Sequence, residues 1–61
     1  MKILLVEDEI HKRDEINKCV IDVYATPPEI VDGVSSAVLT VMKNDYDLII
    51  LDIALSTFGE S

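Results

Sequence analysis

Lys2-Ile3-Leu4-Leu5-Val6-Glu7-Asp8-Glu9 opens the chain with four consecutive apolar residues closed by three acids. A run so short and so evenly apolar suits a strand covered on both faces, as in a parallel sheet flanked by helices. Leu48-Ile49-Ile50-Leu51-Asp52 repeats the arrangement, with β-branched residues at its centre and an acid at its end. Between the two runs the apolar period lengthens. Ile16, Cys19, Val20, Val23 and Tyr24 recur at helical spacing, which predicts a helix from about Glu9 to Tyr24 with Asp8 or Glu9 supplying negative charge at its start. Thr26-Pro27-Pro28 ends it, because the residue before proline avoids the α region and proline donates no hydrogen bond.

Glu29-Ile30-Val31-Asp32 reads as a weaker second strand, and Gly33 as a turn. Ser35 or Ser36 is expected to cap a second helix carrying Ala37, Val38, Val41 and Met42 on its apolar side, with Asn44-Asp45 closing it. The order β-α-β-α-β implies a parallel α/β sheet with right-handed crossovers. The first strand is expected between the second and third, which is half of a doubly wound domain. The third strand is then an edge, and an apolar edge invites pairing.

The 61 residues make one small domain, 1–61. With 49% hydrophobic residues the chain is too apolar for disorder, yet a core this small barely offsets the entropy of ordering it. Its one cysteine excludes an internal disulfide and a multi-cysteine zinc site. Burial is therefore expected to be completed by a metal, by association or by further sequence. Twelve acids against five bases give a net charge of -7, which repels phosphate backbones, so no nucleic-acid binding is expected. The opening apolar run is far shorter than a signal or membrane span, and with a free cysteine the expected setting is the cytoplasm.

Ligands of parallel α/β sheets bind beyond the carboxyl ends of the strands. Two strands deliver acids there: Glu7 and Asp8 from the first, Asp52 from the third. Neighbouring strand ends lie ~5 Å apart, so three carboxylates crowd together and repel unless protonated or bridged by a cation. An all-oxygen site of this kind suits Mg²⁺. Taken alone, Glu7-Asp8 reads equally well as a helix-capping pair, and an Asp after an apolar strand also occurs in P-loop nucleotidases. No G-x-x-x-x-G-K-[ST] is present, so that second reading fails.

Ile3-Leu4-Leu5-Val6-Glu7-Asp8-Glu9 and Leu48-Ile49-Ile50-Leu51-Asp52, with 44 residues from Asp8 to Asp52, resemble the receiver domain of bacterial two-component response regulators. The resemblance spans the chain but only the first half of the family's flavodoxin-like domain, implying sheet order 2-1-3 without strands 4–5 and helices 3–5. It implies that Asp52 accepts a phosphoryl group from a histidine kinase or phosphotransfer protein. It further implies that Asp8 and Asp52 ligate Mg²⁺, that Glu7 assists through water, and that the Ala54 backbone carbonyl completes the ligand set. The small side chain of Ala54 implies a short-lived acyl phosphate. Ser56 stands where the family usually has proline, and Glu60 where it has glycine, with Gly59 one place earlier. The family's phosphate-contacting lysine, its hydroxyl residue and its switch aromatic belong to the second half. The implied function is a signalling phosphoacceptor rather than a turnover enzyme. The alternative is a phosphorylation-silent receiver that acts by binding proteins. A small Mg²⁺-dependent phosphohydrolase ranks below both, for want of a general acid. A homodimer through the third-strand edge is expected, whether the chain is a fragment of a longer receiver or a naturally short protein.

The remaining notable residues have structural readings. His11 is expected to be solvated near the acids, with Cys19 and Met42 in the core. Tyr24 and Tyr46 are expected at its boundary, and Phe58 over exposed core.

Overall fold

A computed structural model describes residues 1–52. Ala54, Ser56, Phe58, Gly59 and Glu60 lie outside the described residues. Strand β1 (Ile3–Val6), helix α1 (Ile10–Tyr24), strand β2 (Glu29–Val31), helix α2 (Val34–Lys43) and strand β3 (Leu48–Leu51) follow in the order the periodicities predict. The sheet order is β2-β1-β3, all parallel, with Leu5 level with Ile30 on one side and Ile50 on the other. The described residues thus form a three-stranded parallel α/β sheet with two helices, compatible with part of a flavodoxin-like fold.

All four residues of β1 are buried, as its uniform apolarity requires. Leu4 and Val6 pack against Ala37 of α2, with Val31 and Tyr46 around them. Side chains alternate along a strand, so Ile3 and Leu5 face the other way, toward α1. Helix α1 is anchored by Glu9, whose carboxylate accepts the His11 and Lys12 N–H groups at 3.1 and 2.8 Å. It leaves through Ala25, which takes the left-handed conformation (φ 59°) and donates its N–H to the Ile21 carbonyl at 2.8 Å. The helix has therefore ended before the prolines that were expected to stop it.

Three expectations need correction. The inward stripe of α1 is Arg13, Ile16, Asn17 and Val20, with only Val20 buried, while Cys19, Val23 and Tyr24 are exposed. Asn17 and Cys19 flank the Ile16–Val20 line on opposite sides of the helix, and α1 is rotated so that Asn17 faces inward and Cys19 outward. Cys19 is thus not a core residue. On α2, Ala37 is buried but Val38, Val41 and Met42 are exposed, Met42 by 77%. Among the described residues β3 is the outermost strand, and nothing meets their outer side. Finally, Gly33 rather than Ser35 or Ser36 precedes α2. Its backbone is extended, its carbonyl accepts the Ala37 N–H at 3.0 Å, and both serines lie inside the first turn.

Below the sheet, at the amino ends of β1 and β3, the chain ties itself together. The Lys2 N–H donates to Asp47 Oδ2 at 2.6 Å, and the Asp47 N–H returns to the Lys2 carbonyl at 2.7 Å. Lys2 Nζ stands 5.2 Å from the centre of the Tyr46 ring, whose hydroxyl donates to Glu29 Oε1 at 2.5 Å. Burial and then Glu29 push the Tyr46 phenol up to about 12.

Candidate functional site

The hydrogen-bond ladders run one residue past β1 and β3. The Glu7 N–H donates to the Val31 carbonyl at 3.1 Å, and the Asp52 N–H to the Val6 carbonyl at 3.0 Å. These bonds fix Glu7 and Asp52 side by side at the carboxyl edge of the sheet. Asp8 follows Glu7 into the turn before α1.

The three acids differ in environment. Glu7 is 1% exposed, Asp52 is half-buried and Asp8 is exposed. Glu7 Oε2 accepts the Glu9 N–H at 3.0 Å, but Oε1 has no hydrogen-bond partner among the described residues. Burial raises the Glu7 pKa, the Glu9 N–H lowers it, and the neighbouring carboxyls of Asp52 and Asp8 raise it again. The Glu9 carboxyl moves the opposite way, held below its ordinary range by the Lys12 and His11 N–H groups of the helix start.

A carboxylate can only accept, and leaving one of its oxygens buried beside another carboxyl is costly. Two remedies exist: a proton on Glu7, or a cation between Glu7 and Asp52. The donor set, all oxygen and anionic, fits a hard divalent ion of the Mg²⁺ type, which needs only one or two protein carboxylates and keeps its waters. Among the described residues, however, no three His, Cys, Asp or Glu side chains converge on a point that could hold a metal ion. The carboxylates present are a pair with an exposed third nearby, not a closed cage.

The sequence expectation has Asp8 as the direct ligand with Glu7 assisting; at this edge Glu7 is the enclosed carboxyl and Asp8 the exposed one. Strand alternation would have singled out Glu7, since it shares the α1-facing side with Ile3 and Leu5. His11 is exposed on the first turn of α1, as expected. Among the described residues no helix is long and apolar enough to cross a membrane.

The chain was compared with family models, curated proteins and solved structures. None of them matches.

Proposed function

We propose that the chain is a receiver-like signalling module in which Asp52 accepts a phosphoryl group from a histidine kinase or phosphotransfer protein. The observation that carries this reading is the buried, half-satisfied Glu7 carboxyl beside Asp52 at the carboxyl edge of a parallel sheet. In such a site Glu7 and Asp8, with Asp52, would hold Mg²⁺, and the Ala54 carbonyl is its proposed further ligand. The cation would supply charge neutralisation for an incoming phosphate. Asp52, half-buried and reached from solvent, is the oxygen nucleophile, and its backbone bond to Val6 holds its main chain in place. Glu7, 1% exposed, biases the edge toward cations and cannot itself reach a substrate. The module is proposed to work in the cytoplasm, in keeping with its free cysteine.

A second reading has its own support. The absence of a three-ligand cluster among the described residues favours a silent receiver that binds proteins without being phosphorylated. Borohydride reduction after exposure to Mg²⁺ and acetyl phosphate separates the two. The phosphoacceptor reading expects reduction mapped to position 52 and absent in Asp52→Asn. Measurable Mg²⁺ binding with no reduced aspartate would replace it by the silent receiver.

A further inference from the structure

Among the described residues strand β3 is an edge of the sheet, and its outer side continues into an apolar groove against α2. The Leu48 and Asp52 N–H groups point toward β1, at 3.3 and 3.0 Å from their acceptors. In a parallel ladder alternate residues bond to one side, so Ile49 and Leu51 turn their N–H and C=O groups away from β1. The same two residues place their side chains on the α2 face. Together with Leu4, Val6 and five residues of α2 they line a cleft of about 340 Å³ without a single charged or polar side chain.

We propose that a second copy of this chain occupies that edge and groove, its β3 antiparallel to the first across a two-fold axis through Ile50. That register sets Ile49 opposite Leu51 of the second copy and Leu51 opposite its Ile49. Two pairs of reciprocal N–H···O bonds then satisfy the outward groups of both strands. The axis stands perpendicular to the sheet, so both α2 helices lie on one face of a six-stranded sheet. Each α2 sits over its own β1 through Ala37. Three strand spacings separate the two β1 strands, ~14 Å, against 8–10 Å for packed helices. Each helix therefore leans in by only ~2 Å, with Val38 and Met42 filling the seam.

The area favours this occupant. Val34, Val38, Met42, Ile49 and Leu51 are between 47% and 77% exposed. Together they bare on the order of 500 Å², near the limit for a monomer's largest apolar patch. With Ile50 and Val41 added, the surface comes to about 600 Å² per partner, the lower end of specific interfaces. A polar or basic partner has nothing to recognise in a lining free of charge. The cost is like charge, since each copy carries -7, so association strengthens as salt screens it.

Sedimentation equilibrium of the full chain tests the proposal. A dimer is expected, tighter in about 0.5 M salt than in dilute buffer. Leu51→Lys and Met42→Lys should each weaken it at least ~10-fold while the circular dichroism stays native. Met42 is exposed enough that its variant remains informative even where Leu51→Lys fails to fold. In a Cys19→Ser background, Ile50→Cys should cross-link across the axis on mild oxidation, since facing residues of a non-hydrogen-bonded pair are close. A monomer at several hundred micromolar in high salt would overturn the proposal, as would a dimer indifferent to Met42→Lys. Failure of the dimer to cross-link through position 50 would overturn the two-fold register.

Discussion

Glu7→Gln replaces a buried carboxyl with a neutral amide of the same shape, and its effect can be worked out from the site. The glutamine oxygen can still accept the Glu9 N–H that Oε2 now takes at 3.0 Å. Its amide group gains a donor to offer Asp52, where Oε1 now has no partner. Burial raises the Glu7 pKa in the folded chain. Its contribution to stability is therefore fully present below the unfolded carboxylate range and is lost as pH rises through the raised folded value. Above that raised value, without divalent ions, the native carboxylate is at its most costly, and a cation between Glu7 and Asp52 relieves it. An ion at ten times its dissociation constant contributes about 1.4 kcal/mol to stability. At 4–8 °C per kcal/mol for a domain of this size, that is about 6–11 °C in Tm. Thermal melts at pH 7 should then show the native chain rising by about that much between EDTA and saturating Mg²⁺. Glu7→Gln should melt above the native chain in EDTA and respond to Mg²⁺ by less than ~2 °C. A variant that melts below the native chain in EDTA, or shifts equally with Mg²⁺, would refute the reasoning.

Three further outcomes follow from the fold. Leu5→Ala, on the closed α1 face, should cost ~4–5 kcal/mol, whereas Leu4→Ala, which borders the open groove, should cost only ~2–3 kcal/mol because its cavity is already partly open; urea unfolding of both distinguishes them. Ala25→Gly should stabilise the chain by about 1 kcal/mol by removing the left-handed strain at φ 59°, read as a higher denaturation midpoint. Alkaline titration of tyrosine absorbance should show one phenol ionising at about 12, and Glu29→Gln should bring that step down. Because this pKa is raised by folding, the corresponding stability is lost as pH climbs through about 12.

The strand order and the adjacency of Glu7 and Asp52 were legible because strand patterning is strong: β1 is apolar throughout and its acids follow immediately. Helix orientation was less so. Ile16 and Val20 belong to both the expected and the observed stripe of α1. The choice between Cys19 and Asn17 as their companion depends on how α1 is rotated about its axis against the sheet, which no local spacing encodes. The cap of α2 was misread for a related reason: serines favour helix starts in general, but the extended backbone at Gly33 begins this helix earlier. At the site, residue types marked an acidic edge, while the division of labour required burial. Glu7 became the enclosed acid because strand alternation turns it toward α1, and Asp8 stayed outside because it has already entered the turn.

The central claim is that Asp52 takes a phosphoryl group in a Mg²⁺-dependent acidic edge, and intact mass after incubation with Mg²⁺ and a small phosphodonor tests it most directly. One phosphoryl adduct is expected on the native chain, lost with EDTA and absent from Asp52→Asn. An unmodified mass in Mg²⁺, or an adduct that survives Asp52→Asn, would contradict the account.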